Sequence, residues 1–163
     1  MLNSITIGRA SEIIQICITS NARVSTVESC TGGLITAAMT AVSGSSDVVD
    51  RGFTTYSNEA KNELVGVPME LINAHGAVSE EVARAMAEGG LKRSNATITV
   101  SVTGIAGPSG GTATKPVGLV HFACAASGKP TNAYHEVFSG DRAAVREATV
   151  LQAFKMIEDT IKG

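Results

Sequence analysis

Tryptophan is absent from this sequence of 163 residues, and aromatic residues make up only 4% of it. The core must therefore consist mainly of Ile, Val, Leu, Ala and Met. Neither sign of charge dominates, since 13 Lys and Arg residues stand against 15 Asp and Glu residues, for a formal net charge of -2. Because no basic stripe interleaves with aromatic residues, the electrostatic footprint of a nucleic-acid-binding protein is missing. We expect no nucleic-acid partner.

Cysteine is also scarce, and Cys17, Cys30 and Cys124 are far apart and form no C-x-x-C pair. This spacing argues against a disulfide framework and against a cysteine zinc site. No stretch approaches the roughly 18 apolar residues that would cross a bilayer. The first residues lack the basic start and long apolar run of a signal peptide. These absences predict a soluble, cytoplasmic protein with no membrane partner.

Helical and strand patterns alternate along the chain. Its length fits one domain covering residues 1–163. Strands are predicted over 24–27, 48–56, 96–102, 117–125 and 133–138, and helices over 5–21, 34–42, 59–64, 68–75, from Ser79 onward, and 141–161. Asn58 is predicted to cap the helix over 59–64. The alternation predicts an α/β fold with helices on both faces of the sheet.

The segment Glu28-Ser29-Cys30-Thr31-Gly32-Gly33 lies between a predicted strand and a predicted helix. Two glycines there allow backbone N–H groups to approach a ligand, and a helix N-terminus favours an anion. The turn could therefore bind a phosphate or an oxyanion. A simpler interpretation is that Ser29 or Thr31 only caps the helix and that the glycines only permit tight packing, and the motif alone supports it at least as well.

The segment Tyr56-Ser57-Asn58-Glu59-Ala60-Lys61 contains a lysine that could serve as a base. A serine hydroxyl is a weak nucleophile that needs a base, and a lysine can be that base when burial lowers its pKa. Tyr56 and Lys61 are spaced so that both could reach one cleft. Spacing alone favours the simpler interpretation, an exposed lysine on an amphipathic helix and a tyrosine at a strand end.

A long loop rich in glycine, serine, threonine and proline runs from Gly104 to Pro116, after the most apolar predicted strand. The motif Thr103–Gly111 overlaps the start of this loop and Lys115–Gly118 overlaps its end, and the glycines of the loop can direct several N–H groups toward an anion. A simple hairpin would not need a loop of this length, so a ligand-binding role is favoured. Arg142, in the first turn of the last predicted helix, opposes the helix dipole and is a candidate clamp for a phosphate or carboxylate. The three histidines lack metal-ligand spacing, so no metal site is expected.

Six motifs occur in one order along the chain: ESCTGG at 28–33, RGFTTYSNEAK at 51–61, HGAVS at 75–79, TGIAGPSGG at 103–111, KPVG at 115–118 and GDR at 140–142. Together they resemble the motif series of the CinA C-terminal family, the bacterial nicotinamide-mononucleotide deamidases. The resemblance covers nearly the whole chain.

This resemblance implies a three-layer α/β/α fold with a mixed sheet. It also implies hydrolysis of the carboxamide of nicotinamide mononucleotide, without metal or other cofactor, in pyridine-nucleotide recycling. By residue, it places the family's nucleophile on Ser29, its lysine on Lys61, its tyrosine on Tyr56 and its ligand loop on Thr103–Gly111. Longer family members carry an additional N-terminal domain that this sequence does not contain, and its activity is not expected here. A homodimer is an expectation from the resemblance alone.

The residues and the resemblance together define a hypothesis for the site. Ser29 attacks the carboxamide, Lys61 takes its proton, Tyr56 orients or relays that proton, and backbone N–H groups near Thr31 to Gly33 stabilise the oxyanion. We expect the substrate to be contacted by Glu28, Thr31, Gly32, Gly33, Asn58, Thr103, Gly104, Ile105, Ala106, Gly107, Gly110, Gly111 and Arg142. Two alternatives are a non-catalytic nucleotide-binding or regulatory module, and an amidase that acts on another amide.

Overall fold

The computed structural model describes residues 2–163. Helices and strands alternate in its first part, after which three helices, three strands and a last helix follow in succession. Their order is α1 (Ser4–Thr19), β1 (Val24–Glu28), α2 (Leu34–Thr40), a 3-10 helix (Ser45–Asp47), β2 (Val49–Thr54), α3 (Asn58–Val65), α4 (Met69–His75), α5 (Glu80–Lys92), β3 (Ile98–Gly104), β4 (Leu119–Ala126), β5 (Asn132–Val137) and α6 (Arg142–Lys162).

The five strands form one mixed sheet in the order β2-β1-β3-β4-β5. Strand β1 pairs in parallel with both β2 and β3, while β4 pairs antiparallel with β3 and with β5. Strand β3 begins and ends two residues later than predicted, because Thr103 and Gly104 still pair with His121 and Val120. The predicted mixed sheet is confirmed.

The two faces of the sheet are covered by different helices. On one face, α1, α2 and α6 pack over a large apolar cluster that includes Val100, Phe122 and Phe154. On the other face, α5 packs with α3 and α4 over a smaller cluster that includes Val27, Val65 and Met86. The three-layer α/β/α arrangement is therefore confirmed.

Two adjacent glycines let α5 approach its neighbours closely. A Cβ on Gly90 would lie 2.4 Å from the Cγ2 atom of Val27 in β1. A Cβ on Gly89 would lie 1.8 Å from the carbonyl oxygen of Val65, at the end of α3. Any side chain at these positions would push α5 away from the sheet and from α3. The close packing thus places α3 against the edge where β1 ends.

The parallel strands β2, β1 and β3 end at the same edge of the sheet. Glu28, the last residue of β1, is paired with Thr54 of β2 on one side and Val102 of β3 on the other. The connections after these strands therefore converge, as they do at ligand sites of open α/β sheets. All three candidate motifs follow one of these strand ends.

Candidate active site

The structure brings Ser29 and Lys61 into direct contact. Ser29 lies just after β1 and Lys61 in α3, and the Nζ atom of Lys61 lies 3.1 Å from the Oγ atom of Ser29. The same Nζ donates to the carbonyl oxygen of Thr55 at 2.8 Å. Only 1% of the Lys61 surface and 8% of the Ser29 surface are exposed. A serine and an amine at this distance have the geometry of a nucleophile and its base.

The N-terminus of α3 differs from the prediction in one residue. Ser57 caps the helix, with its Oγ atom accepting from the amide of Ala60 at 3.0 Å, whereas the predicted cap, Asn58, is the first helical residue. Asn58 is exposed. The cap fixes the start of the helix one turn before Lys61, which places the lysine on its buried side.

Lys61 is buried without a negative partner. None of the ion pairs within residues 2–163 involves it, and both of its hydrogen-bond partners are neutral. Burial lowers the pKa of Lys61 from its usual 10.5 to about 8, because the ammonium loses its hydration, and the nearby Cys30 only partly opposes this. A substantial fraction of Lys61 is therefore neutral near pH 7 to 8 and can accept a proton.

Glu28 is buried within the turn that carries Ser29, with 1% of its surface exposed. Its Oε2 atom accepts hydrogen bonds from Thr31 Oγ1 at 2.7 Å and from the amides of Gly33 and Ile35 at 3.0 Å each. Its Oε1 atom accepts hydrogen bonds from Thr26 Oγ1 at 3.1 Å and from the amide and Oγ1 of Thr36 at 2.9 Å each. The carboxylate thus caps α2, where neither Ser29 nor Thr31 does. The substrate contact predicted for Glu28 does not fit this arrangement, since both oxygens are occupied.

The free backbone donors of the turn are fewer than predicted. The amide of Gly32 donates to the carbonyl oxygen of Ser29 at 3.0 Å, and that of Gly33 donates to Glu28. The amides of Cys30 and Thr31 have no acceptor among the residues that the structure describes. Of the amides from Thr31 to Gly33 that are predicted to stabilise an oxyanion, only that of Thr31 is therefore uncommitted, and the neighbouring amide of Cys30 is uncommitted as well.

Tyr56 lies at the same edge but contacts a different group. Its hydroxyl accepts from the Nη2 atom of Arg142 at 3.2 Å, and 61% of the residue is exposed. The Nη1 atom of Arg142 donates to the carbonyl oxygen of Gly107 at 3.0 Å. Tyr56 makes no hydrogen bond with Ser29 or Lys61 within the described chain. Arg142 therefore joins the segment before α3 to the glycine-rich loop.

The glycine-rich loop has an anchored start and an exposed tip. The Oγ1 atom of Thr103 donates to the carbonyl oxygen of Ala77 at 2.8 Å, and Ile105 exchanges backbone hydrogen bonds with Leu119 and Gly118. Ala106 and Gly107 are buried, whereas Gly110 and Gly111 are exposed. The hydroxyl of Thr103 and the backbone of Gly104 and Ile105 thus serve the framework, which differs from the ligand contacts predicted for them.

Arg146 is a residue of the site that the sequence analysis missed. It lies one turn after Arg142 in α6, and its Nη2 atom donates to the carbonyl oxygen of Thr31 at 2.8 Å. The i, i+4 spacing of the two arginines, which places them on one face of the helix, was the signal that could have revealed it. Helix α6 therefore contacts both the Ser29 turn and the glycine-rich loop.

Residues 2–163 offer no candidate for two other classes of site. No group of three or more His, Cys, Asp and Glu side chains is arranged to hold a metal ion in this part of the chain. None of its helices combines the length and the apolar character that a membrane crossing requires.

The family model of the CinA C-terminal domain matches residues 8–161. The chain belongs to the CinA C-terminal domain family. Among solved structures, this CinA domain is similar to the competence/damage inducible protein CihA of Agrobacterium tumefaciens, with 44% identity, a TM-score of 0.95, and coverage of 100% of this chain and 99% of that one.

Two curated relatives show how the CinA domain occurs in other proteins. A CinA-like protein of Anaeromyxobacter sp. (strain K) is 50% identical over 135 residues, which are 83% of this chain and 33% of that protein. The chain thus spans about a third of the length of such relatives. The nicotinamide-nucleotide amidohydrolase PncC of Shigella flexneri is 48% identical over 136 residues, which are 83% of this chain and 82% of that protein.

Proposed function

We propose that the protein hydrolyses the carboxamide of nicotinamide mononucleotide, giving nicotinic acid mononucleotide and ammonia. The observation that carries the proposal is the buried contact of 3.1 Å between Ser29 and Lys61. A module that only binds nucleotides has no need to bury a lysine without a counter-charge beside a serine. The resemblance to the Shigella amidohydrolase supports the choice of substrate.

Acylation begins with Lys61 in its neutral form. Ser29 Oγ attacks the carboxamide carbon while its proton passes to Lys61 Nζ, 3.1 Å away. The carbonyl oxygen becomes an oxyanion, which accepts hydrogen bonds from the amides of Cys30 and Thr31, and the absence of another acceptor for these amides supports this role. A donor of this kind contributes roughly 3 kcal/mol to transition-state stabilisation.

Collapse of the tetrahedral intermediate completes the first half of the reaction. The C–N bond breaks, and the proton on Lys61 moves to the leaving nitrogen, which departs as ammonia. A water molecule then attacks the acyl ester as Lys61 takes its proton, and the ester C–O bond breaks as Ser29 regains a proton. The products are the carboxylic acid and the free enzyme, and no metal or redox partner is needed for this balance.

Tyr56 and Arg142 have orienting roles in this proposal. Tyr56 holds Arg142, which also binds Gly107 in the glycine-rich loop. With the loop, Arg142 binds the phosphate of the substrate, so that binding energy far from the amide aligns it with Ser29. Both residues lie at the edge where β1, β2 and β3 end.

Release of ammonia from nicotinamide mononucleotide tests the proposal directly. We expect release by the wild type with and without chelator, and a loss of at least about 1000-fold in Ser29→Ala and in Lys61→Arg. Arginine keeps the charge but cannot act as a base near neutral pH. The matched controls are Ser11→Ala and Lys155→Arg, two exposed positions at which normal release is expected.

Other outcomes would favour the alternatives. Binding of the nucleotide without ammonia release would replace the proposal with a non-catalytic binding module. Release from other amides but not from this nucleotide would keep the serine-lysine chemistry and overturn the substrate. Near-normal release by Lys61→Arg would remove Lys61 from the role of base.

A further inference from the structure

One hydrogen-bond donor in the side chain of Arg146 is buried and has no partner in the described part of the chain. The Nε atom of Arg146 is the one buried side-chain polar atom of residues 2–163 that has no hydrogen-bond partner. The Nη2 atom of the same guanidinium donates to Thr31 at 2.8 Å. Unpaired buried donors are rare in folded proteins, since they lose water without gaining a partner. An acceptor that is not part of the chain would explain it.

Arg146 and Arg142 line one open cavity of about 470 Å³. Ala106 and Pro108 from the glycine-rich loop form part of its wall. The glycine-rich loop and the first turns of α6 therefore surround a common space. A cavity of this size accommodates a phosphate together with part of the group that carries it.

The charge of this cavity favours an anion. No carboxylate of the described chain forms an ion pair with Arg142 or Arg146. The one acidic residue in the wall, Asp141, accepts from the amide of Ala144 at 2.9 Å as the cap of α6. Two fixed guanidinium groups thus face the cavity against one carboxylate, and guanidinium groups match the geometry of phosphate oxygens.

The backbone beside the two arginines adds uncommitted donors. The amides of Ala106 and Gly107 donate to no acceptor within residues 2–163, although both residues are buried. The other candidate anion site, the N-terminus of α2, is already occupied, since Glu28 accepts from the amides of Ile35 and Thr36. An anionic ligand is therefore directed to the α6 side of the site.

We propose that Arg146 is a second phosphate-binding arginine, which holds a phosphomonoester together with Arg142 in this cavity. Arg146 makes the site selective for a phosphorylated amide over the same amide without phosphate. The assignment of the phosphate to a mononucleotide substrate rests on the proposed function, whereas binding of the anion does not.

Binding of inorganic phosphate to the Ser29→Ala protein, measured by titration calorimetry at fixed ionic strength, tests the anion site without turnover. We expect Arg146→Met to weaken phosphate binding about 10-fold or more, and Arg146→Lys to weaken it less, because lysine keeps the charge but loses the planar fork. Lys155→Met removes a charge from an exposed position of the same helix and should leave binding intact. Absence of phosphate binding by the parent, or equal binding by Arg146→Met, would overturn the proposal.

Selectivity is tested by comparing nicotinamide mononucleotide with nicotinamide riboside, which lacks the phosphate. For Arg146→Met we expect kcat/KM to fall about 10- to 100-fold further on the mononucleotide than on the riboside. An equal loss on both substrates would mean that Arg146 only positions the Ser29 turn through Thr31. If neither substrate is hydrolysed, the proposed function fails, while the phosphate titration still decides the anion site.

Discussion

The end of β1 buries the carboxylate of Glu28 and the first half of α3 buries the amine of Lys61, and the protein surrounds the two groups in opposite ways. Glu28 accepts hydrogen bonds from six donors of its own turn, of β1 and of α2. Lys61 has two neutral partners, and no ion pair of the described chain includes it. Both side chains are 1% exposed. The difference is therefore one of solvation by the protein, not of burial.

That difference separates a structural role from a chemical one. A carboxylate surrounded by fixed dipoles holds the backbone around it, because every donor that it satisfies would otherwise be unpaired. An ammonium without such partners is destabilised relative to the neutral amine, which is the condition for a base near neutral pH. Glu28 holds the turn that carries Ser29 in place. Lys61 lies beside Ser29 without a negative partner.

Removal of Glu28 should have the largest effect on stability. Glu28→Ala leaves the amides of Ile35 and Thr36 and the hydroxyl of Thr31 without their acceptor, and we expect the free energy of unfolding to fall by about 3 to 5 kcal/mol. Urea denaturation followed by circular dichroism measures it. The control is Glu63→Ala in α3, an exposed position where a change below about 0.5 kcal/mol is expected. A similarly small change for Glu28→Ala would contradict the structural role.

The pH profile tests the other half of the comparison. With a pKa of about 8, Lys61 is roughly one-tenth neutral at pH 7 and nine-tenths neutral at pH 9, so kcat/KM for ammonia release should rise about tenfold between them. The rise follows from loss of the proton as pH passes through that pKa. Rates are measured against enzyme-free blanks at each pH. A flat profile over this range would show that Lys61 is not the titrating base.

Lys61→Met should make the protein more stable as it becomes inactive. A pKa lowered from 10.5 to about 8 means that burial of the charged lysine destabilises the folded protein by roughly 3 kcal/mol below pH 8. The variant avoids this destabilisation but leaves the Thr55 carbonyl oxygen without its donor, which offsets part of the gain. We expect a gain of about 1 to 2 kcal/mol at pH 7 in denaturant unfolding.

The gain should shrink between pH 8 and 10.5. In that window the unfolded wild type binds more protons than the folded one, so the stability of the wild type rises with pH toward that of the variant. Lys155→Met, whose lysine is exposed and paired with Asp159, should show no such trend. A variant less stable than the wild type at pH 7 would mean that Lys61 is better solvated than its contacts indicate.

The pattern of apolar residues predicted strands such as β3 well, because a run of buried residues is visible in the local sequence. The cap of α6 at Asp141 was predicted for the same reason, since a cap depends only on its neighbouring residues. The three-layer fold followed from the family motifs. The role of Glu28 was out of reach, since its partners are amides of α2 that become available only when the turn has formed. The contact between Tyr56 and Arg142 joins residues 86 positions apart. No local pattern encodes such a pairing.

Burial of Lys61 was equally hidden, for a related reason. Spacing placed it on a helix and favoured an exposed position, which is wrong, since Lys61 is 1% exposed. Its amine, carried on α3, contacts Ser29 after β1 and the carbonyl oxygen of Thr55 after β2. Three elements distant in sequence therefore determine the environment of one amine. Such tertiary effects on a single pKa arise only after packing.

Tyr56→Phe should have the smallest effect and bears on how far the reactive region extends beyond Ser29 and Lys61. The hydroxyl contacts Arg142 at 3.2 Å and neither reacting side chain. Loss of this one hydrogen bond should lower kcat/KM for nicotinamide mononucleotide about 2- to 10-fold, mainly through KM. The pH dependence should stay that of Lys61. A loss above about 100-fold in kcat with an altered pH profile would instead make Tyr56 a proton relay, which requires the hydroxyl to leave Arg142 when substrate binds.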